Sequence, residues 1–243
     1  MTNPGQPSPA HPGEPHLSGT AARLNKLRAG VLGANDGIVS VAALVVGVAS
    51  ATPRSEAILA AGAAGLIGGA ISMALGEYVS VSSQRDSERA MIRQERHELD
   101  DDPKGELDEL AALYVAKGLR AETARQVAEQ LSAHDALAAH LEAELNIIPE
   151  DIASPWAAAF SSAAAFTLGG LLPFLTILLL PPPIRIWATF VVVLLALGIT
   201  GAAGARLGGS PVLRPALRVV IGGALALATT FALGAALGTT GAV

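Results

Sequence analysis

Apolar positions in this chain come in long blocks. From Gly30 to Ala51 the one ionisable side chain is Asp36, and four further blocks are apolar or small nearly throughout: Ile58 to Val81, Pro155 to Leu180, Ile184 to Ala205 and Leu217 to Val243. Each is near or above the roughly 18 to 20 residues that a helix needs to cross a bilayer core of about 30 Å. The pattern therefore predicts five transmembrane helices. In a soluble chain Asn35-Asp36-Gly37 would mark a tight turn. A hairpin, however, needs flanks that alternate apolar and polar at period two, and both flanks here are continuously apolar or small. Asp36 is expected inside a membrane helix.

Between the second and third blocks lies Ser82 to Ser154, too charged to enter lipid and long enough for a small helical domain. It reads SSQRDSERAMIRQERHEL, then DDDPKG, then ELDELAALYVAKGL, then RAETARQVAEQLSAHDALAAHLEAEL. Pro103 and Gly105 are expected to end the first helical run and Gly118 the second, and Leu119 to Leu145 returns to an apolar spacing of three and four. Three helices follow, the first continuous with membrane helix two. Residues 1–20, rich in Pro, Gly, Ser and His, have too little apolar surface to bury and read as a disordered tail without a signal-peptide pattern. The expected organisation is this tail, membrane helices one and two over 21–81, the polar domain over 82–154, and membrane helices three to five over 155–243.

Composition agrees with the blocks, at 51% hydrophobic and 15% charged residues in 243. With no cysteine, disulfides, iron–sulfur clusters and thiolate metal sites are excluded. The basic residues fix an orientation, because cytoplasmic loops retain positive charge. Arg23, Lys26 and Arg28 precede span one, Arg85, Arg89, Arg93 and Arg96 follow span two, and Arg206, Arg214 and Arg218 separate spans four and five. The other side carries Arg54 and Arg185. The N-terminus and the polar domain are expected in the cytoplasm and the C-terminus outside, in a cell (inner) membrane.

Ser82 to Ser154 holds 17 acidic residues against 8 basic ones, a local net charge of −9. Glu95 and Glu98 are three apart on one helix face, and Glu106 and Glu109 repeat that spacing after the Asp100 to Gly105 turn. Two such pairs on antiparallel helices can face each other, and carboxylates brought together repel and lose solvation unless cations hold them. Glu142, Glu144 and His140 on the third helix are candidates to complete the shell. On spacing alone an ordinary solvated surface stays open. His97, His134 and Asp100 to Asp102 read as surface or turn residues.

In the membrane, span two carries Gly62, Gly65, Gly69, Ser72 and Gly76 on a small-residue face suited to close helix packing or a second subunit. Met73 and Glu77 lie one turn apart. A thioether is a soft metal ligand, and an intramembrane carboxylate is costly, at about 2.5 kcal/mol or more, so Asp36, Met73 and Glu77 suggest a cation path. Gap filling by Met73 and a structural hydrogen bond by Asp36 remain alternatives. Pro173 is expected to kink span three, Trp156 and Trp187 to anchor at interfaces, and Pro181-Pro182-Pro183 to form the external turn.

LRAGVLGANDGIVSVAALVVGVA, SMALGEYVSVSSQRD, and ELNI followed by PW at the start of span three strongly resemble the vacuolar iron transporter family, in order from about Leu24 to Gly238. The resemblance implies a homodimer with a pore between its subunits and proton-coupled export of Fe2+, often also Mn2+, from the cytosol. By the same resemblance Asp36 and Met73 match pore residues, and Glu95, Glu98, Glu106, Glu109 and Glu144 match glutamates of a metal-binding domain. Two positions depart from the family pattern. His140 and Leu141 stand where plant-type members have adjacent methionines, so one soft ligand becomes imidazole and one is lost. Gly65 stands where some members have an acid, a role that Glu77 is expected to take over in part.

The expectation is an all-α membrane protein of five transmembrane helices with an inserted three-helix cytoplasmic metal-binding domain. It would act as a homodimeric divalent-metal/proton antiporter, with Fe2+ or Mn2+ as substrate, no prosthetic group, lipid as surroundings and no nucleic-acid partner. A membrane-anchored metal buffer or sensor is the alternative. An enzyme is disfavoured, since a diiron oxidase would want Glu-x-x-His on two helices and the chain has none.

Overall fold

The computed structural model describes residues 20–148 and 153–239, so the expected tail lies, up to residue 19, outside the described residues. These residues form seven helices: α1 Thr20–Ala51, α2 Ser55–Asp101, α3 Pro103–Ala116, α4 Ala121–Ala143, α5 Pro155–Leu179, α6 Pro182–Leu207 and α7 Leu213–Thr239. No strand occurs among the described residues. Five of the helices are long and apolar enough to cross a membrane: α2, α5, α6, α7 and the Gly30–Ala51 part of α1. The chain is a multi-pass membrane protein. It divides into two compact units, one of Tyr78–Pro155 and one of the residues on either side.

In the apolar unit α1 is the central helix, and small residues let its neighbours come close. A Cβ on Gly37 would overlap the Phe166 carbonyl of α5, and one on Gly234 of α7 would overlap the Gly47 carbonyl. Only glycine allows backbones to approach this far. Val41, Ala42, Val45 and Val46 are consequently buried with Ile58, Phe166, Ile177, Val193, Leu197 and Leu227 in one core. The large apolar side chains left outside, among them Ile67, Leu168, Leu195 and Leu225, are exposed on a surface of the kind that a membrane or a partner covers. The small-residue face of α2 divides: Gly62 and Gly69 pack on the Phe174 and Phe166 rings and Gly65 on Leu44, whereas a Cβ on Gly76 would meet nothing within 4 Å.

Arg185 is buried at the start of α6, where its Nη2 donates to the Pro53 carbonyl at 3.1 Å. It ties α6 to the turn between α1 and α2, a link that no sequence pattern announced. α5 passes Pro173 and remains one helix. The three prolines do not share one turn: Pro181 is the N-cap of α6 and Pro182 begins it, since a first-turn position needs no N–H and suits φ near −65°.

The polar unit holds the last part of α2, then α3 and α4. α2 runs 47 residues without a break, as a first helix continuous with the membrane span requires. The stop comes at Asp102, whose carboxylate caps α3 by accepting from the Gly105 amide at 3.0 Å. Gly105 thus belongs to the first turn of α3 rather than ending the preceding run. Gly118, at φ 102°, ends α3 as expected: its amide donates to the Val115 carbonyl and that of Leu119 to the Tyr114 carbonyl. The helix expected over Leu119 to Leu145 is broken at Asp135. Leu110 of α3 packs on Ala128 and Ala139 of α4 to make the small core of this unit.

Candidate metal centre

Each helix of the polar unit contributes to one cluster. Glu95 of α2 is 3% exposed and His140 of α4 fully buried. The His140 Nδ1 lies 2.9 Å from Glu95 Oε1, 3.5 Å from Glu106 Oε2 of α3 and 3.9 Å from Glu144 Oε2. Donor atoms of Glu95, His140 and Glu144 all fall within 4.8 Å of one another. Glu144 follows His140 by four residues, one helical turn, so both face the same way.

The buried polar atoms of this cluster are not satisfied by one another. Although His140 Nδ1 and Glu95 Oε1 lie 2.9 Å apart, they are not aligned for a hydrogen bond, and neither they nor His140 Nε2 has such a partner among the described residues. Such groups are costly to leave buried and call for an ion or another partner. Burial first, then the charges of Glu144, Glu106, Glu98 and Glu109, pushes the Glu95 carboxyl up to about 7. Glu106 is raised by burial and by Glu109, Glu98, Glu144 and Asp102, and Glu144 by burial and by Glu109 and Glu98. Burial pushes the His140 imidazole down, against a smaller upward pull from Glu109. Three carboxyls held back from ionising beside an imidazole held back from protonation make a set that a divalent cation would relieve on every member. Carboxylate and imidazole donors without thiolate suit Fe2+, Mn2+ or Zn2+.

The other expected ligands lie differently. Glu98 and Glu109 are exposed and act on the cluster through their charge. Glu142 is not brought in: two residues from both His140 and Glu144, it turns to another side of α4 and lines a separate cleft with Asp135, Leu141 and Ile147. His97 and His134 are exposed. A cleft of about 440 Å³, bordered by Arg96, Asp100, Leu107 and Ser132, reaches His140.

In the apolar unit Asp36, Met73 and Glu77 are each half-buried. Asp36 accepts a hydrogen bond from Ser40 Oγ at 2.7 Å, one turn on in α1, and Met73 packs against the core. Beside Asp36, the Asn35 side-chain oxygen accepts from Thr200 Oγ1 of α6. The two neighbours thus divide, one holding helices together and one keeping a carboxylate clear of that contact.

A multi-pass helical membrane protein carrying a buried Glu–His cluster on a polar helical unit is the class these features define. The chain matches the VIT family over residues 27–235 and belongs to it. It is 47% identical over 227 residues to a vacuolar iron transporter of Acanthamoeba castellanii, covering 93% of this chain and 84% of that protein. It is also 38% identical over 217 residues to vacuolar iron transporter homolog 2 of Oryza sativa subsp. japonica (87% and 90% covered), and 37% over 212 to homolog 2.1 of Arabidopsis thaliana (87% and 81%).

Proposed function

We propose that the protein moves divalent metal, Fe2+ and also Mn2+, out of the cytosol in exchange for protons. The polar unit faces the cytoplasm and the C-terminus lies outside, in a cell membrane. The observation that carries this reading is the cluster of Glu95, Glu106, His140 and Glu144, in which Glu95 and His140 are buried and lack hydrogen-bond partners among the described residues, in a chain whose relatives are named iron transporters. Glu98 and Glu109 raise the local cation concentration through their charge. The cleft beside His140 is the route from solvent.

The path through the membrane uses Asp36, Met73 and Glu77, with a second copy of the chain supplying the same residues across a dimer interface. A cation beside Asp36 removes the main cost of holding that carboxylate in lipid, and a proton arriving from the outer side replaces it and resets the site.

The test is gradient-driven uptake of Fe2+ or Mn2+ into proteoliposomes with a metal-sensitive dye inside. Uptake that needs the pH gradient and falls to background in Asp36→Ala supports the exchange. Metal binding without flux would instead make the protein a membrane-anchored buffer or sensor.

A further inference from the structure

The break in α4 places two of the cluster's donors on a helix of their own. At Asp135 the backbone is extended, φ −159° and ψ 98°, and the carboxylate accepts a hydrogen bond from the Ala138 amide at 2.9 Å. An extended residue whose side chain takes the amide three positions on is a helix N-cap. The helix it starts is only two turns long, ending at Ala143, with His140 in its last turn and Glu144 as its C-cap residue. A two-turn helix is not stable by itself. This one also presents its donors to carboxylates that repel Glu144.

The far end is held as well. Lys117, just past α3, donates from Nζ to the Ala143 carbonyl at 3.1 Å and sits 5.2 Å from the centre of the Tyr114 ring. Asn146 takes a left-handed conformation, φ 52°, which lets the Ile147 amide donate to the Leu141 carbonyl at 2.8 Å. Leu141 and Ile147 are buried. An acid at the N-terminus and an ammonium group at the C-terminus both complement the helix dipole.

We infer that Asp135 and Lys117 are positioning residues that clamp this short helix, holding the His140 and Glu144 donors against Glu95 before metal arrives. The inference rests on the reading of the cluster as a metal-capture site. Neither residue belongs to the ligand set: Asp135 acts through a backbone amide and Lys117 through a backbone carbonyl. A cap of this kind is replaceable by asparagine but not by alanine.

The experiment uses the full-length protein in detergent, with Mn2+ binding followed calorimetrically and backbone hydrogen exchange measured over residues 136–145. Asp135→Ala is expected to weaken Mn2+ binding about five- to tenfold, the size of a lost N-cap, and to speed exchange in that segment. Asp135→Asn should restore both. Ala124→Gly, which weakens the same helix before the break by about as much, should leave both near wild type. Equal loss in Asp135→Asn, or in Ala124→Gly, would overturn the clamp in favour of a direct charge effect or general destabilisation. If the wild-type chain takes up no Mn2+, the capture reading fails, and exchange alone decides the clamp: faster exchange confined to Asp135→Ala upholds it and unchanged exchange overturns it.

Discussion

Asp36 in the apolar unit is half-buried, with a serine hydroxyl one turn away as its hydrogen-bond partner. Glu95 in the polar unit is almost fully enclosed, with Glu106, Glu144 and the His140 imidazole close by. In the proposed function both sites take cations, but by different means. One carboxylate with a single neutral neighbour binds weakly and lets go, whereas several carboxylates with restrained ionisation gain much from a cation and hold it. Transfer through a membrane needs the first property and capture from a dilute solution needs the second.

The packing differs in the same sense. The apolar unit is built by backbones in contact, so the largest loss is expected where a side chain intrudes between them. Gly37→Leu should prevent recovery of folded protein from membranes, because the Phe166 carbonyl occupies the space. Gly222→Leu, with nothing within 4 Å, should be recovered at wild-type yield by size-exclusion chromatography. Equal loss in both would show that the close approach of α1 and α5 is not what holds the unit.

Next in size is the loss of the imidazole. His140→Ala leaves Glu95 without its nearest donor neighbour and should weaken Mn2+ binding by roughly tenfold or more, an effect of the order expected for one ligand. Calorimetry on the full-length protein reads it.

Protons should compete at the same groups. As pH falls through about 7, where the Glu95 carboxyl gains its proton, Mn2+ affinity should drop by up to about tenfold per pH unit for each proton displaced. Stability without metal should run the other way. With the Glu95 carboxyl raised from 4.5 to about 7, the folded form binds more protons than the unfolded form across that window, so stability is lost as pH rises through it. Glu106 and Glu144 act in the same direction. Burial lowers His140 from 6.5 and opposes them, gaining stability as pH rises, but the large shift is at Glu95 and sets the net sign. Metal-free protein should therefore melt lower at pH 8 than at pH 5.5, and Mn2+ should reverse the order. The smallest effect is expected at Glu142, where Gln should leave Mn2+ affinity within about twofold, as for an exposed charge outside the cluster.

The spans were legible in the sequence because a run of apolar residues is a signal along one dimension, and Gly30–Ala51 needs no knowledge of its neighbours. The glutamate pairs were visible through their spacing. Their unequal roles were not, because whether Glu95 or Glu98 turns inward depends on where three helices meet. The separation of Glu142 from His140 and Glu144 was present all along in the two-residue spacing, which places side chains about 200° apart on a helix. The sequence HDALA also held the break in α4, since an aspartate three residues before a free amide is an N-cap signal. The steady apolar spacing across it hid that cue. Arg185 and its hold on Pro53 depend on helices far apart in the chain and left no local trace.

The most direct test of a division between capture and transfer is the metal dependence of flux. Gradient-driven Mn2+ uptake would be measured in proteoliposomes, with the polar unit facing the supplied metal, for wild type, Asp36→Ala and Glu95→Gln/His140→Ala. The double variant should need about tenfold more metal or beyond for half-maximal uptake, yet reach the wild-type maximum. Asp36→Ala should show no uptake at any concentration. Flux abolished at saturating metal in the double variant, or retained in Asp36→Ala, would contradict that division.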